Sequence, residues 1–249
     1  MDLHVFPDLN LMSQSVAAWI LSRIQLSLQT QDRFTLVLSG GSTPKPLYDL
    51  LAASPYREMI PWEKIHMFWG DERAVPFEDP RNNAKMAFDN LLQGLPIAPQ
   101  QIHIMRTDIA PELAAAEYED ILHRYFGEEG PSFDLVLLGM GDDGHTLSLF
   151  PHTAVIHETR AWTKAYYLPA QDMYRITLTR TIVNRSAAIA FLTSGAAKAH
   201  ALHEVLYGAY QPDLYPSQVI VPVAGELHWF VDQAAAGNLG PQAQASTES

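Results

Sequence analysis

The sequence predicts one α/β domain, a mostly parallel sheet with helices on both faces. Three observations lead there. Short, continuous apolar runs such as FTLVL (Phe34–Leu38) and DLVLL (Asp134–Leu138) read as strands buried on both sides. Amphipathic stretches alternate with them in the order strand, turn, helix. No linker or internal repeat divides the 249 residues, a length that α/β folds reach as one unit.

The elements follow in order. Leu9, Met12, Val16, Trp19 and Ile20 recur at three- and four-residue spacing, which makes Leu9–Leu28 a helix with one apolar face. After the strand Phe34–Leu38 come a turn, Ser39–Pro44, and a helix from Lys45 to Ala53. Ile65–Trp69 (IHMFW) reads as the next strand, Gly70–Asn83 as a long loop and Ala84–Leu92 as a helix. Ile102–Met105 forms a short strand and Pro111–Tyr125 a helix. Asp134–Leu138 is the clearest buried strand, and Gly139–Gly144 is its loop. Tyr174–Thr179 alternates and pairs with Trp162–Leu168 as a hairpin. Ala187–Leu192 is a strand leading into a helix from Ala196 to Tyr207, and Val219–Val223 and Leu227–Val231 are two more strand candidates. The domain covers residues 1–236. The tail Gly237–Ser249 is expected to be disordered for want of large apolar residues.

Composition removes several function classes. There is no cysteine, so disulfides, thiolate nucleophiles and cysteine-based zinc sites are excluded. No apolar run approaches the roughly 18 residues of a membrane span, and Met1–Asn10 lacks a basic signal region, so a cytoplasmic protein is expected. The 28 acidic residues against 16 Lys and Arg give a net charge of −12, which argues against a nucleic-acid partner. For an anionic substrate, a few basic residues would have to converge against that background.

Open α/β sheets bind ligands beyond the carboxyl ends of their strands, so the loops after Leu38, Trp69, Leu138 and Leu192 should meet in one crevice. Ser39-Gly40-Gly41-Ser42-Thr43-Pro44 combines a tight glycine turn, hydroxyl donors and a helix start. It suits an anion cradle and equally a plain N-capped turn. It lacks the Walker A spacing. Gly70-Asp71-Glu72-Arg73 puts three charges at a strand end. Gly139-Met140-Gly141-Asp142-Asp143-Gly144-His145 matches G-x-G-x-x-G, with Glu158 downstream. A dinucleotide pyrophosphate would face Asp142 and Asp143 there, and Pro151 arrives too soon for a long capping helix. The glycines read better as a scaffold presenting Asp143 and His145, an imidazole suited to proton transfer near neutrality. Lys198 follows the strand Ala187–Leu192 at a helix start, and Arg175 opens another strand. Each is alone an ordinary surface charge. His200 and His203 share a helix face but lack a third, acidic ligand, so no metal site is expected.

Taken together, Ser39–Pro44 (SGGSTP), Gly70–Arg73 (GDER), Asn83, Leu138–Pro151 (LGMGDDGHTLSLFP) and Arg175 through Lys198 are similar to the 6-phosphogluconolactonases over about residues 5 to 231. The resemblance implies a Rossmann-like fold shared with glucosamine-6-phosphate deaminases and ribose-5-phosphate isomerases. It further implies a cytosolic hydrolase of 6-phospho-D-glucono-1,5-lactone that needs neither metal nor cofactor. Ser39, Gly40, Gly41, Ser42, Thr43, Asn83, Arg175 and Lys198 would bind substrate and its phosphate. His145 would activate water, Asp143 or Asp71 would orient its imidazole, and Arg73 would steady the oxyanion or hold the substrate. Two positions depart from the family, Asn82 in place of Ser and Leu147 in place of Ala. Two other readings stay open. An aminosugar-phosphate deaminase is disfavoured because the acid such enzymes carry five residues after the histidine is here Phe150. A catalytically silent sugar-phosphate sensor would need the phosphate turn but not Asp143-Gly144-His145.

Overall fold

The apolar runs form the middle of a seven-stranded sheet. The computed structural model describes residues 1–240. In chain order the elements are β1 (Asp2–Phe6), α1 (Leu9–Ser27), β2 (Phe34–Leu38), α2 (Lys45–Ala52), α3 (Tyr56–Met59), β3 (Ile65–Trp69), β4 (Asp71–Arg73), α4 (Asn83–Ala87) and β5 (Ile102–His103). There follow α5 (Pro111–Tyr125), β6 (Leu135–Gly139), β7 (Thr163–Leu168), β8 (Met173–Leu178), α6 (Arg180–Val183), β9 (Ala188–Thr193), α7 (Ala199–Tyr207) and β10 (Glu226–Asp232). The large sheet has the order β1-β10-β9-β6-β2-β3-β5, and each of its pairings is parallel. A second, antiparallel sheet has the order β4-β8-β7.

Alternate residues of the central strands feed two cores. Phe34, Leu36 and Leu38 of β2, Leu135 and Leu137 of β6 and Leu192 of β9 pack with α1 and α2. Val37, Val136, Leu138, Ile189 and Phe191 face α5, α6 and α7 on the other side. A strand covered on both faces favours apolar side chains at successive positions, which is why these runs are near-continuous rather than alternating. The buried Thr35 of β2 is accommodated by donating its hydroxyl to Asp134 Oδ2 at 2.7 Å. Each such side chain contributes about 1.5–3 kcal/mol by leaving water. Phe191 stacks flat on Trp229 across β9 and β10, with ring centroids 3.9 Å apart.

The strand order also fixes where a ligand can enter. From β2 the chain moves outward through β3 to β5, then returns to place β6 on the other flank of β2. The loops leaving β2 and β6 therefore diverge and open a crevice between them, at the switch point of the sheet. The glycine-rich segments Ser39–Pro44 and Gly139–His145 are those two loops.

Several elements differ from the sequence reading. β1 lies where no strand was expected; it is a sheet edge, and DLHVF is too short and mixed to show a pattern. Within the expected loop Gly70–Asn83, Asp71–Arg73 pairs with β8 as β4. The helix expected over Ala84–Leu92 widens into a π turn over Phe88–Leu92. That over Ala196–Tyr207 starts as a 3-10 turn, Ala196–Lys198. Val219–Val223 is not a strand. Pro222 has no N–H for a ladder, Val221 and Val223 are exposed, and β10 already occupies the flank of β9. Of the tail Gly237–Ser249, residues up to 240 belong to the ordered chain: Ala235–Asn238 form a turn and Leu239, its one large apolar residue, is buried. Residues 241–249 lie outside the described residues. Among the described residues no helix is long and apolar enough to cross a membrane.

Candidate active site

The crevice at the switch point has a volume of about 260 Å³ and takes its walls from four strand ends. Ser39–Thr43 follow β2, Asp71 and Arg73 follow β3, Gly139–Gly141 and His145 follow β6, and Ser194 and Lys198 follow β9. Asn83 and Arg175 complete it. Of the residues to which the sequence assigns a catalytic or binding role, Asp143 is the one that does not line the crevice; it stands behind His145.

The loop after β2 is fastened at one point and open elsewhere. The buried Tyr48 hydroxyl accepts from the Ser39 N–H at 2.9 Å and donates to the Ser39 carbonyl at 2.8 Å. The Ser39 amide is thus engaged by Tyr48, and the open N–H groups of the loop begin at Gly40. The next four N–H groups, of Gly40, Gly41, Ser42 and Thr43, make no hydrogen bond among the described residues. Successive unpaired N–H groups at the start of α2 form an anion cradle. Gly40 is required by a close approach, because a Cβ there would lie 2.0 Å from Asn83 Oδ1.

His145 owes its orientation to the loop after β6. Its Nδ1 lies 2.6 Å from Asp143 Oδ1, which also accepts the His145 N–H at 3.1 Å. A carboxylate can only accept, so Nδ1 carries the proton and Nε2 is the basic nitrogen. Burial raises the Asp143 pKa, but hydrogen bonds from His145 outweigh it and hold the carboxyl below its ordinary value. The Gly141 N–H donates to the His145 carbonyl at 2.8 Å, and a Cβ on Gly141 would lie 2.1 Å from Nδ1. Only glycine leaves room there for the imidazole and carboxylate together. The imidazole stacks on Phe150 with centroids 4.0 Å apart.

β4 and β8 carry the charged floor. Arg175 is 3% exposed; its Nη2 donates to Asp71 Oδ2 at 3.0 Å and its Nε to Ser148 Oγ at 2.8 Å. Ser148 in turn donates to the same Asp71 oxygen at 2.6 Å. Asp71 is therefore engaged with Arg175 and Ser148 rather than with His145, and Arg175 meets the crevice with its charge balanced. Burial lowers the Arg175 pKa against the pull of Asp71. Arg73 donates from Nη1 to the Arg81 carbonyl and to Asn83 Oδ1 at 2.8 and 3.0 Å, while its buried Nε has no partner among the described residues. Among the described residues Arg73 is in no ion pair. Lys198 pairs with Asp142, Nζ to Oδ1, at 2.5 Å.

Three supporting residues were given no role by the sequence alone. Glu72, fully buried, accepts from the N–H groups of Arg73, Asn83 and Ala84 at 2.9, 2.7 and 2.8 Å, tying β4 to the start of α4. Burial pushes its pKa up to about 7 despite those donors. Asn82, one of the two departures noted above, caps α4 by accepting from the Lys85 N–H at 2.8 Å. Asp232, at the end of β10, accepts from the Ser194 hydroxyl and from the N–H groups of Gly195 and Ala235, so it sets the turn from which Lys198 projects. A carboxylate at the carboxyl end of a strand is the signal that marked GDER, and applied to Leu227–Val231 it would have found Asp232. Among the described residues no cluster of three His, Cys, Asp or Glu side chains could hold a metal ion.

Residues 7–229 match the family described as glucosamine-6-phosphate isomerases/6-phosphogluconolactonase. A 6-phosphogluconolactonase of Synechocystis sp. is 43% identical over 226 residues, which cover 89% of this chain and 91% of that protein. One of Nostoc sp. is 39% identical over 241 residues, covering 95% of this chain and 98% of that protein. The crystal structure of a 6-phosphogluconolactonase from Thermotoga maritima superposes with a TM-score of 0.81 at 28% identity, over 93% of this chain and 99% of that one.

Proposed function

The chain belongs to the family of glucosamine-6-phosphate isomerases and 6-phosphogluconolactonases, and from that membership we propose that its crevice hydrolyses 6-phospho-D-glucono-1,5-lactone to 6-phospho-D-gluconate, with His145 activating water. The observation that carries the mechanism is the pairing of His145 Nδ1 with Asp143 beside a row of unpaired N–H groups. One feature suits proton transfer and the other suits a phosphate.

The 6-phosphate sits on the N–H groups of Gly40–Thr43 and draws on the charge of Lys198. Nε2 of His145 takes a proton from water as its oxygen attacks the lactone carbonyl, and Asp143 stabilises the imidazolium that forms. Arg73, the crevice cation that among the described residues has no acidic partner and an unsatisfied Nε, steadies the negative oxygen of the tetrahedral intermediate. Collapse breaks the bond from the carbonyl carbon to the ring oxygen. That oxygen takes the proton from His145, which returns to its neutral form. The carboxylic acid released then ionises, so net hydrolysis yields one proton in solution. The 1,5-lactone occupies the oxidative branch of the pentose phosphate pathway.

Arg175 and Asn83 serve this site through position. Arg175 holds Asp71 and Ser148, and Asn83 braces both Gly40 and Arg73. Deamination of an aminosugar phosphate is disfavoured, because Phe150 stacks on the imidazole where a second proton-transfer group would be needed. The reading includes a cytoplasmic setting and no nucleic-acid partner, in line with a charge of −12; cell fractionation tests the former. The direct test of function supplies freshly made phosphorylated lactone and follows proton release at constant pH. Release well above the spontaneous rate is expected. Tight phosphate binding without acceleration would favour the sensor instead.

A further inference from the structure

We propose that Asp142 is a built-in competing anion: it pairs with Lys198, must leave when a phosphate arrives, and so holds down affinity for substrate and product alike. The inference rests on the reading of Lys198 as the phosphate-binding cation.

Asp142 and Asp143 are adjacent, yet their surroundings differ. Asp143 is fixed by two hydrogen bonds from His145. Asp142 has one partner among the described residues, Lys198 Nζ at 2.5 Å. The Asp142 side chain is 64% exposed and that of Lys198 23%, so the carboxylate lies on the rim. It can swing into water with little desolvation, whereas Lys198 stays in the crevice wall. Exposed ion pairs of this kind are weak, and this one spans the loop after β6 and the turn before α7 without support from either backbone. A phosphomonoester brings up to two charges and also reaches the N–H groups of Gly40–Thr43, for which Asp142 has no second oxygen in place. Displacement is then favourable, but reduced by whatever the resident pair was worth.

A tethered rival acts on every ligand of Lys198 by one factor, because each must first displace it. Substrate, product and inorganic phosphate therefore lose the same share of affinity, which is uniform weakening of binding that leaves the chemical barrier untouched. In a crevice whose product is itself a phosphate ester, such weakening quickens release. Asp142 is thereby a positioning group that tunes KM through Lys198 without touching the reacting atoms.

The test uses Asp142→Asn and Asp142→Ser with inorganic phosphate as the probe, by calorimetry and as a competitive inhibitor of lactone hydrolysis. Both variants should bind phosphate about twofold to fivefold more tightly, the range expected of an exposed pair, and KM for the phosphorylated lactone should fall by the same factor. KM for unphosphorylated gluconolactone should not follow. In a Lys198→Ala background the Asp142 substitutions should have no effect on phosphate binding. Unchanged or weaker phosphate binding in the single variants would overturn the proposal, since the carboxylate would then be idle or would be preparing Lys198 for its ligand. A gain that persisted in the Lys198→Ala background would also overturn it, as general charge repulsion. If Lys198→Ala by itself left phosphate binding intact, the phosphate site itself would be wrongly assigned, which is a separate failure.

Discussion

Replacing Asp71 by Asn separates a structural role, as the partner of Arg175, from a direct role in the chemistry. Asp71 is 8% exposed and Arg175 3%, and they meet at 3.0 Å with Ser148 bridging both. Removing one partner of a buried pair leaves an uncompensated charge, which costs about 3–5 kcal/mol. For a chain of this length each kcal/mol lowers Tm by roughly 2–4 °C, so Asp71→Asn should melt about 6 to 20 °C below wild type. Arg175→Met, which strands the carboxylate, should cost a comparable amount. The double variant should then be more stable than the sum of the single losses implies, with a coupling of about 2–3 kcal/mol. Urea unfolding of the four proteins closes the cycle. A melting temperature within about 2 °C of wild type, together with a kcat lowered a hundredfold or more, would refute the reasoning. Asp71 would then act on the substrate rather than on Arg175.

Other outcomes follow from the same geometry. Asp143→Asn should lower kcat, by up to the roughly 10²–10⁴ that a positioned general base supplies, with KM little changed. Because the Asp143 pKa is depressed in the folded state, its contribution to stability is present above its unfolded pKa and is lost as pH falls through its folded one. The stability difference between Asp143→Asn and wild type should therefore shrink in acid, as measured by urea unfolding across pH. Lys198→Ala should reduce kcat/KM for the phosphorylated lactone by about 1.5–3 kcal/mol, or roughly ten- to a hundredfold. Hydrolysis of unphosphorylated gluconolactone should barely change, and equal losses on both would remove Lys198 from the phosphate. Dialysis against EDTA should leave activity whole, since no metal-holding cluster occurs among the described residues. Loss on chelation with recovery on adding one divalent ion would contradict this.

The sequence revealed the frame and the strand-end loops for a physical reason. β2, β3 and β6 are covered on both faces, so their runs are apolar but for Thr35 and His66, and a glycine loop after such a strand marks a sheet crevice. Less was visible where a residue's fate depends on a distant partner. Nothing near Asp71 reveals Arg175, 104 positions away, and nothing near Asp232 reveals the Gly195 turn it holds. The ambiguity between Asp71 and Asp143 as partner of His145 was of this kind: both are carboxylates at strand ends, and only the pairing of Asp71 with Arg175 distinguishes them. β4 was hidden because its three residues are charged, and its strand character comes wholly from pairing with β8. Val219–Val223 misled in the opposite direction, an apolar run without a free strand edge to join.

The most direct measurement is the pH dependence of kcat for wild type and His145→Asn on the phosphorylated lactone, with the spontaneous rate subtracted at each pH. Asparagine keeps much of the shape but cannot accept the proton of water. A general base works only in its unprotonated form, so kcat of the wild type should fall on the acid side of the profile. The variant should lose that limb and run roughly 10²–10⁴ slower with KM little altered. A variant within a few-fold of wild type, with the acid limb intact, would contradict the assignment and place the base elsewhere in the crevice.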